Sequence, residues 1–321
     1  MGFFVIMKKK LLVSFSGGET SAYMLWWVLE NWTNEYDVKV VFANTGQENE
    51  ETLLFVQKCS EHFNVEVVWV EAVVNPENKK GTTHRIVDFG SASRNGEPFE
   101  AVIAKYGIPN PATPHCNREL KLNAINSYLK AIGWKDHFTA IGIRADECDR
   151  MNAKMKERRL VYPLITDKPM TKPKINAWWD LQPFRLNLKG YQGNCKTCWK
   201  KSDPKLYTLI IEDRSQFDFF EQMEKKYGNF IPPSRVKLMT DRGETPPTHT
   251  NFFRKDRSVE DLAREAEKFT RVITDDSQQM DRQIDLFDLL EQIGMSESND
   301  TAFDLLGGES CDIFASCGVY D

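Results

Sequence analysis

The chain of 321 residues holds no apolar run long enough to cross a membrane as a helix. Its early apolar patch, Phe3 to Ile6, comes before Lys8 to Lys10, the reverse of a signal peptide's order. A cytoplasmic protein without membrane contact is expected. It has no internal repeat, no Ser/His/Asp triad signal and no Asp/Glu-rich metal motif. Excess positive charge is missing too: the net charge is −5, which argues against general nucleic-acid affinity. That charge is unevenly spread. Residues 271–321 carry 12 acidic and 2 basic residues, so the other 270 residues carry about +5. Seven cysteines cannot all pair, and two of them form a Cys-x-x-Cys. In a cytosolic chain this favours metal or redox chemistry over a disulfide framework.

Against these absences stands one strong local feature. Leu11 to Phe15 is a short apolar strand, and Thr20 to Glu30 has the period of an amphipathic helix. Between them lies Ser16-Gly17-Gly18-Glu19. A loop that passes from a parallel-sheet strand to a helix N-terminus is an anion site, because free N–H groups and the helix dipole point at the ligand. Gly17 and Gly18 let the backbone approach a phosphate, and Ser16, Thr20 and Ser21 add hydroxyls. The loop lacks the Gly-Lys-Ser/Thr ending of a Walker A loop and the three spaced glycines of a dinucleotide fingerprint.

Strands also read at Val38–Ala43, Val65–Val70, Phe138–Ile143 and Leu160–Ile165, and helices at Glu50–His62, Arg118–Ile132 and Asp203–Arg214. The alternation predicts an α/β fold: a Rossmann-like, doubly wound parallel sheet with helices on both faces. Residues 75–114 read as an insertion or lid, in which His84 and Arg85 would cover phosphates on closure. Residues 169–202 read as extended loop around a Trp178-Trp179 turn. Gln216–Tyr227 and Val259–Phe269 read as helices of an appendage. The expected division is an α/β domain over 1–215 that includes a cysteine loop at 186–203, a helical appendage over 216–270, and a flexible acidic tail over 271–321.

Ser16-Gly-Gly-x-x-Ser21 after a strand resembles the PP-loop of the adenine nucleotide α-hydrolase superfamily. That group includes ATP pyrophosphatases, tRNA thiolation enzymes and phosphoadenosine phosphosulfate (PAPS) reductases. Four further segments, in family order, are similar to PAPS reductases: Phe42-Ala43-Asn44-Thr45-Gly46-Gln47-Glu48, Cys116-Asn117-Arg118-Glu119-Leu120-Lys121, Ile141-Gly142-Ile143-Arg144-Ala145-Asp146-Glu147 followed by Arg150, and Gly193-Asn194-Cys195-Lys196-Thr197-Cys198. The resemblance implies a PP-loop fold that binds ATP or PAPS, with magnesium accompanying ATP. It implies nucleotide contacts from Ser14, Ser16, Gly17, Gly18, Glu19, Thr20, Ser21, Asn44, Thr45, Gly46, Gly142 and Arg144. Arg144 and Arg150 are the expected catalytic cations, since a guanidinium fork suits phosphate or sulfate oxygens.

Cys195 and Cys198 have the spacing of a loop chelate, and Cys116 lies at a helix start, where thiol pKa values fall. In the adenosine phosphosulfate reductases that this chain resembles, a Cys-Cys pair and a later Cys-x-x-Cys hold a [4Fe–4S] cluster. Here His115-Cys116 stands in place of that pair. The readings left open are an iron–sulfur cluster, a zinc ion, or reduced thiols, with His115, a tail cysteine or an open position as the fourth ligand. Ser316-Cys317-Gly318-Val319-Tyr320 is similar to the nucleophile-bearing end of PAPS reductases, with Ser316 and Tyr320 departing from it. Cys311 is a further tail thiol. Cys59 and Cys148 are expected to pack. Lys154, Lys156, Arg158 and Arg159 form a basic run suited to a nucleic-acid backbone or to a solvated face.

Three functions follow as expectations. The first is adenylation with pyrophosphate release, coupled to sulfur transfer from a sulfur donor or thiol, onto an acceptor that includes nucleic acid. The second is a phosphosulfate reductase that releases sulfite, with Cys317 as nucleophile. The third is a non-catalytic nucleotide-binding module with a structural zinc.

Overall fold

The computed structural model describes residues 8–77, 80–193, 195–270, 273 and 275. Along the chain run β1 (Lys9–Ser14), α1 (Glu19–Asn31), β2 (Tyr36–Asn44), α2 (Glu50–His62), β3 (Val67–Val74), β4 (Thr82–Val87) and α3 (Glu97–Tyr106). A π-helical turn (Arg118–Leu122) leads into α4 (Asn123–Ala131), followed by β5 (His137–Ala140), a 3₁₀ turn (Ala145–Arg150), β6 (Leu160–Val161), α5 (Pro163–Thr166) and α6 (Lys172–Asp180). The chain continues with α7 (Asp203–Glu212), α8 (Asp218–Tyr227), α9 (Pro233–Asp241) and α10 (Val259–Ala266).

The strands form one six-stranded sheet in the order β4-β3-β2-β1-β5-β6. All neighbours are parallel except β4, which runs antiparallel to β3. The chain winds outward from β1 through β2 and β3, then crosses back to β5 and β6. The switch point of this doubly wound sheet therefore lies between β1 and β5, where such sheets open a crevice at their C-terminal edge.

Side-chain alternation explains why both faces are covered. Leu12, Val41, Ala43, Val68 and Val70 point to one face, into a core shared with α3, α4, α7, α8 and α10. Leu11, Val13, Val40, Phe42 and Trp69 point to the other, under α1, α2 and α6. Both faces being buried is what turns these strands into nearly continuous apolar runs.

The expected loops hold more order than their composition suggested. The 75–114 segment contains β4 and α3. His84 and Arg85 lie on β4, where Arg85 grips the buried Glu71 at 2.5 Å and His84 meets Ser127 at 2.9 Å; they form no lid. The Trp178-Trp179 stretch is the end of α6, whose Trp178 ring stacks 4.9 Å from Trp26 of α1. The fifth expected strand is cut to Leu160–Val161, because Pro163 occupies the first helical position of α5. The boundary expected after residue 215 coincides with no gap in packing. Phe217, Phe220, Met223, Phe252 and Leu262 belong to the core that also holds Leu12 and Val41. Cys59 is buried as expected, whereas Cys148 is exposed on its 3₁₀ turn. Apart from residues 273 and 275, the acidic tail lies outside the described residues.

Glu224 joins α8 to α10 by accepting the Phe252 and Val259 N–H groups at 3.2 and 2.9 Å. Burial pushes its carboxyl up to about 7. Its folded pKa lies above its unfolded value, so the stability it lends is complete below the ordinary carboxylate range. That stability is lost as pH rises through about 7. Denaturant unfolding at pH 5 and pH 8 should show a wild-type loss roughly 1–3 kcal/mol larger than that of Glu224→Gln. Equal losses would contradict this account of Glu224.

Candidate active site

The loop after β1 is shaped by close packing. Gly17 has φ +81°, and a Cβ there would stand 2.7 Å from the Thr52 methyl. Gly18 occupies the N-cap of α1 and offers the first-turn N–H groups no side-chain acceptor. Two serines latch the loop: Ser16 and Ser21 hydroxyls lie 2.9 Å apart, and Ser21 also meets the Gly18 carbonyl at 2.9 Å. Ser14 is buried at the end of β1.

Across the switch point, the segment after β5 completes this half-site. A Cβ at Gly142 would come within 3.0 Å of Ser21 Cα, so the two backbones run side by side. Arg144 donates to Thr20 Oγ1 at 3.2 Å and also to Asp146 at 3.0 Å. Arg150 pairs with Glu147 at 2.7 Å, and Arg144 approaches the same carboxylate at 3.3 Å. The two arginines thus sit in one charge cluster at the rim of the loop. Glu19 is turned away from it. Arg185 holds its carboxylate at 3.0 and 3.1 Å, and Trp179 Nε1 donates to its carbonyl at 3.0 Å. Burial raises the Glu19 carboxyl despite that arginine. Glu19 therefore fastens α6 and the following segment to the start of α1.

The end of β2 forms the second half-site. Asn44 is fully buried and is occupied in the scaffold. Its amide donates to Glu71 at 2.6 Å and to the Ser93 carbonyl at 2.8 Å, while its carbonyl accepts from Gly46 N–H at 3.2 Å. Gly46 has φ +78° and lies against Gly96, 3.0 Å from where its Cβ would be. Thr45 faces the other way, toward sulfur. Its hydroxyl donates to Glu48 at 3.0 Å and stands 3.5 Å from Cys195 Sγ. Cys195 Sγ donates to the same Glu48 oxygen at 3.8 Å, and Lys121 Nζ lies 3.8 Å from it. The Lys196 N–H donates to the Gln47 carbonyl at 2.9 Å, which docks the cysteine loop on this strand end.

Cys116, Cys195 and Cys198 line one apolar cavity, together with Thr45, Lys121, Phe99, Trp199 and Phe220. The sequence places Cys116 some 80 residues from the Cys-x-x-Cys; the fold closes that gap by setting the π-helical turn beside the cysteine loop. A π-turn inside a helix start is common at functional sites. The cavity has space of about 20 Å³, one water-sized body. Among the described residues, no three His, Cys, Asp or Glu side chains stand close enough together to hold a metal ion as they lie. His115 is not among the residues lining the cavity. Its Nε2 meets the Gly107 carbonyl at 3.1 Å, its ring packs on Tyr106, and burial pulls its pKa down to about 4. Cys317, with Cys311, lies outside the described residues. The basic run at 154–159 is exposed except at the half-buried Met155, and Arg159 pairs with Asp136 at 3.3 Å. The buried Lys121 and Glu48 were not singled out from sequence, although both close quoted segments.

A glycine turn from a strand into a helix N-terminus, at the switch point of a doubly wound sheet, defines the class: an α/β protein of PP-loop type. The model of the phosphoadenosine phosphosulfate reductase domain matches residues 10–163, and the chain belongs to the PAPS reductase-like family. It is 34% identical over 230 residues to the uncharacterized nin region protein ORF290 of Escherichia phage lambda, covering 70% of this chain and 76% of that protein. It is 26% identical over 156 residues to the uncharacterized protein MJ0066 of Methanocaldococcus jannaschii, covering 49% of this chain and 27% of that one. Among solved structures, the U34-tRNA thiolase NcsA of Methanococcus maripaludis with its [4Fe–4S] cluster aligns over 97% of this chain and 82% of its own. Its TM-score of 0.37 and 14% identity are too low to carry functional inference.

Gly142→Ala should test the switch-point contact. The added methyl pushes on Ser21 and shifts the loop by a few tenths of an ångström. Nucleotide affinity, read by calorimetry, should fall about tenfold, for a stability loss of about 1–2 kcal/mol. Unchanged affinity would mean that the loop holds no phosphate.

Proposed function

We propose that this chain is an adenine nucleotide α-hydrolase that adenylates an acceptor and couples the step to sulfur transfer. The carrying observation is the Arg144–Thr20 contact across the switch point, which places a guanidinium over a helix N-terminus with glycine backbone beneath it. In this reading the β,γ-phosphates of ATP rest on Ser16 to Ser21. An acceptor oxygen attacks the α-phosphorus, the bond to the β-phosphate oxygen breaks, and pyrophosphate leaves with the electron pair. The loop N–H groups, Arg144 and Arg150 stabilise the charge that develops. A thiol sulfur then displaces AMP from the adenylated acceptor.

The donor chemistry of the second half-site suits a soft metal. Three sulfurs line one cavity together with Lys121, a cation that would offset charge on thiolate ligands. Cys116, Cys195 and Cys198 would hold an iron–sulfur cluster there, which supplies a position where sulfur can bind. A zinc ion on the same three thiols is the second reading, and for either metal the thiols must first draw together, since among the described residues no three ligating side chains lie close enough as they stand. For the nucleotide, the family description favours PAPS as an alternative to ATP. Cys317 would then attack the sulfur of PAPS to form S-sulfocysteine as adenosine bisphosphate leaves with the bridging oxygen, and a thiol reductant would release sulfite by forming a disulfide with Cys317.

The test is product analysis with ATP and with PAPS. AMP and pyrophosphate should form from ATP when an oligonucleotide acceptor and a thiol are both present. Ser16→Ala and Arg144→Ala should each lower that rate by roughly 100- to 1000-fold, the usual range for losing one charge-stabilising donor. Sulfite release from PAPS that disappears in Cys317→Ser would replace this reading with the reductase. ATP bound but never cleaved would overturn both.

A further inference from the structure

A second cleft lies outside the nucleotide and thiol half-sites. Its space is about 250 Å³, and its walls include Asn110, Pro111, Arg235, Thr250, Phe253 and Lys255. It backs onto the thiol cavity: Phe220 lines the one, Phe253 lines the other, and their rings stand 6.5 Å apart. The loop that carries Asn110 runs on to Cys116.

The cleft sets polar and charged side chains among apolar walls, and its cations are unspent. Arg235 is half-buried, yet its guanidinium makes no hydrogen bond or ion pair among the described residues. The other described arginines that are not fully exposed have such partners. Desolvation lowers the Arg235 pKa, which marks a charge held without an anion; Asp256 acts on it only from a distance. Asp256 is itself occupied with the Asn251 N–H at 2.9 Å. Asn110 and His249 are likewise occupied, Asn110 by Asn251 and Thr113, His249 by Asn229 and Asn251. The polar floor is therefore rigid, and the anion-binding capacity rests on the cations. Lys255 stands exposed at the rim. Arg242, seven residues beyond Arg235, caps the C-terminus of α9 about two turns further on. Helix α9 buries none of its residues, so nothing in the core requires its basic side chains.

Mononucleotide phosphates already have a place on the 14–21 loop under the proposed function. A further cationic cleft, one aromatic layer behind the thiols, suits a substrate with phosphates spaced along a chain. We propose that this cleft is a phosphodiester subsite for a single-stranded nucleic-acid acceptor, with Arg235 as its anchor and Lys255 and Arg242 along its continuation. The inference names the acceptor for the proposed function and rests on that reading for the chemistry, but the binding stands by itself.

The test is fluorescence anisotropy of labelled single-stranded RNA and DNA 12-mers on the full chain, across a salt series. Arg235→Ala should weaken binding about 5- to 20-fold and reduce the slope of log K against log salt by about one, the signature of one lost phosphate contact. ATP affinity by calorimetry should be unchanged in that variant. Inorganic phosphate and ATP at low millimolar concentration should not displace the oligonucleotide. Unchanged oligonucleotide binding in both Arg235→Ala and Lys255→Ala would overturn the proposal. A parallel loss of ATP affinity, or displacement by ATP, would assign the cleft to a free nucleotide and also overturn it. Loss of pyrophosphate release in Ser16→Ala with oligonucleotide binding intact keeps the two questions separate.

Discussion

The turn between β1 and α1 has space for backbone and little else. Thr52, Val56 and Phe42 press on Gly17 from α2 and β2, and Gly142 presses on Ser21 from beyond β5. Everything at the switch point follows from this crowding. It aims the start of α1 at the crevice, sets the Ser16–Ser21 latch, and brings Arg144 within reach of Thr20. Outside this turn, the Glu19–Arg185 pair and the Trp26–Trp178 stack brace α1 from behind. The loop is thus held on three sides before any ligand arrives, which is how a site avoids an ordering cost on binding.

The end of β2 links that loop to the thiols. Its backbone is fixed by the buried Glu71, which receives Asn44, Arg85 and the Ser93 N–H. A buried carboxylate left unpaired would be costly, and here every neighbour donates to it. With Asn44 committed inward, Thr45 and Glu48 are free to face Cys195 and Lys121. The buried Glu48–Lys121 pair contributes little net stability once desolvation is counted. Its position beside Cys195 gives it a use: it sets the charge and hydrogen bonding around a sulfur.

The elements that run continuously apolar or pack one helical face were legible in the sequence. β1 and β2 carry the first signal, α1 and α2 the second, and together they place the glycine turn after β1. β4 was not legible, because Thr82-Thr83-His84-Arg85-Ile86-Val87 lies on an edge and leaves most of its side chains solvated. α6 was hidden by Pro173 and by a tryptophan pair that reads equally well as a turn. The C-terminal helices read as an appendage because the phenylalanines that bind them to the main core, at 217, 220, 252 and 253, are spread along the chain. Within the site, spacing found the three cysteines but not the direction of His115, whose ring turns to the Gly107 carbonyl. Nor did it find that Asn44 serves the scaffold while Thr45 serves the thiols. Those assignments depend on which partner lies across the sheet end, and that is a property of the fold.

The proposed function joins a phosphate loop and a metal-binding set of thiols at one sheet edge. Its central claim is tested most directly by the metal and sulfide content of anaerobically purified protein, beside that of Cys195→Ser. A stoichiometric thiolate-bound metal is predicted, about four irons with matching sulfide for a cluster or one zinc otherwise. It should be lost or sharply reduced in the variant. Anaerobically purified protein that carries no metal would contradict the claim.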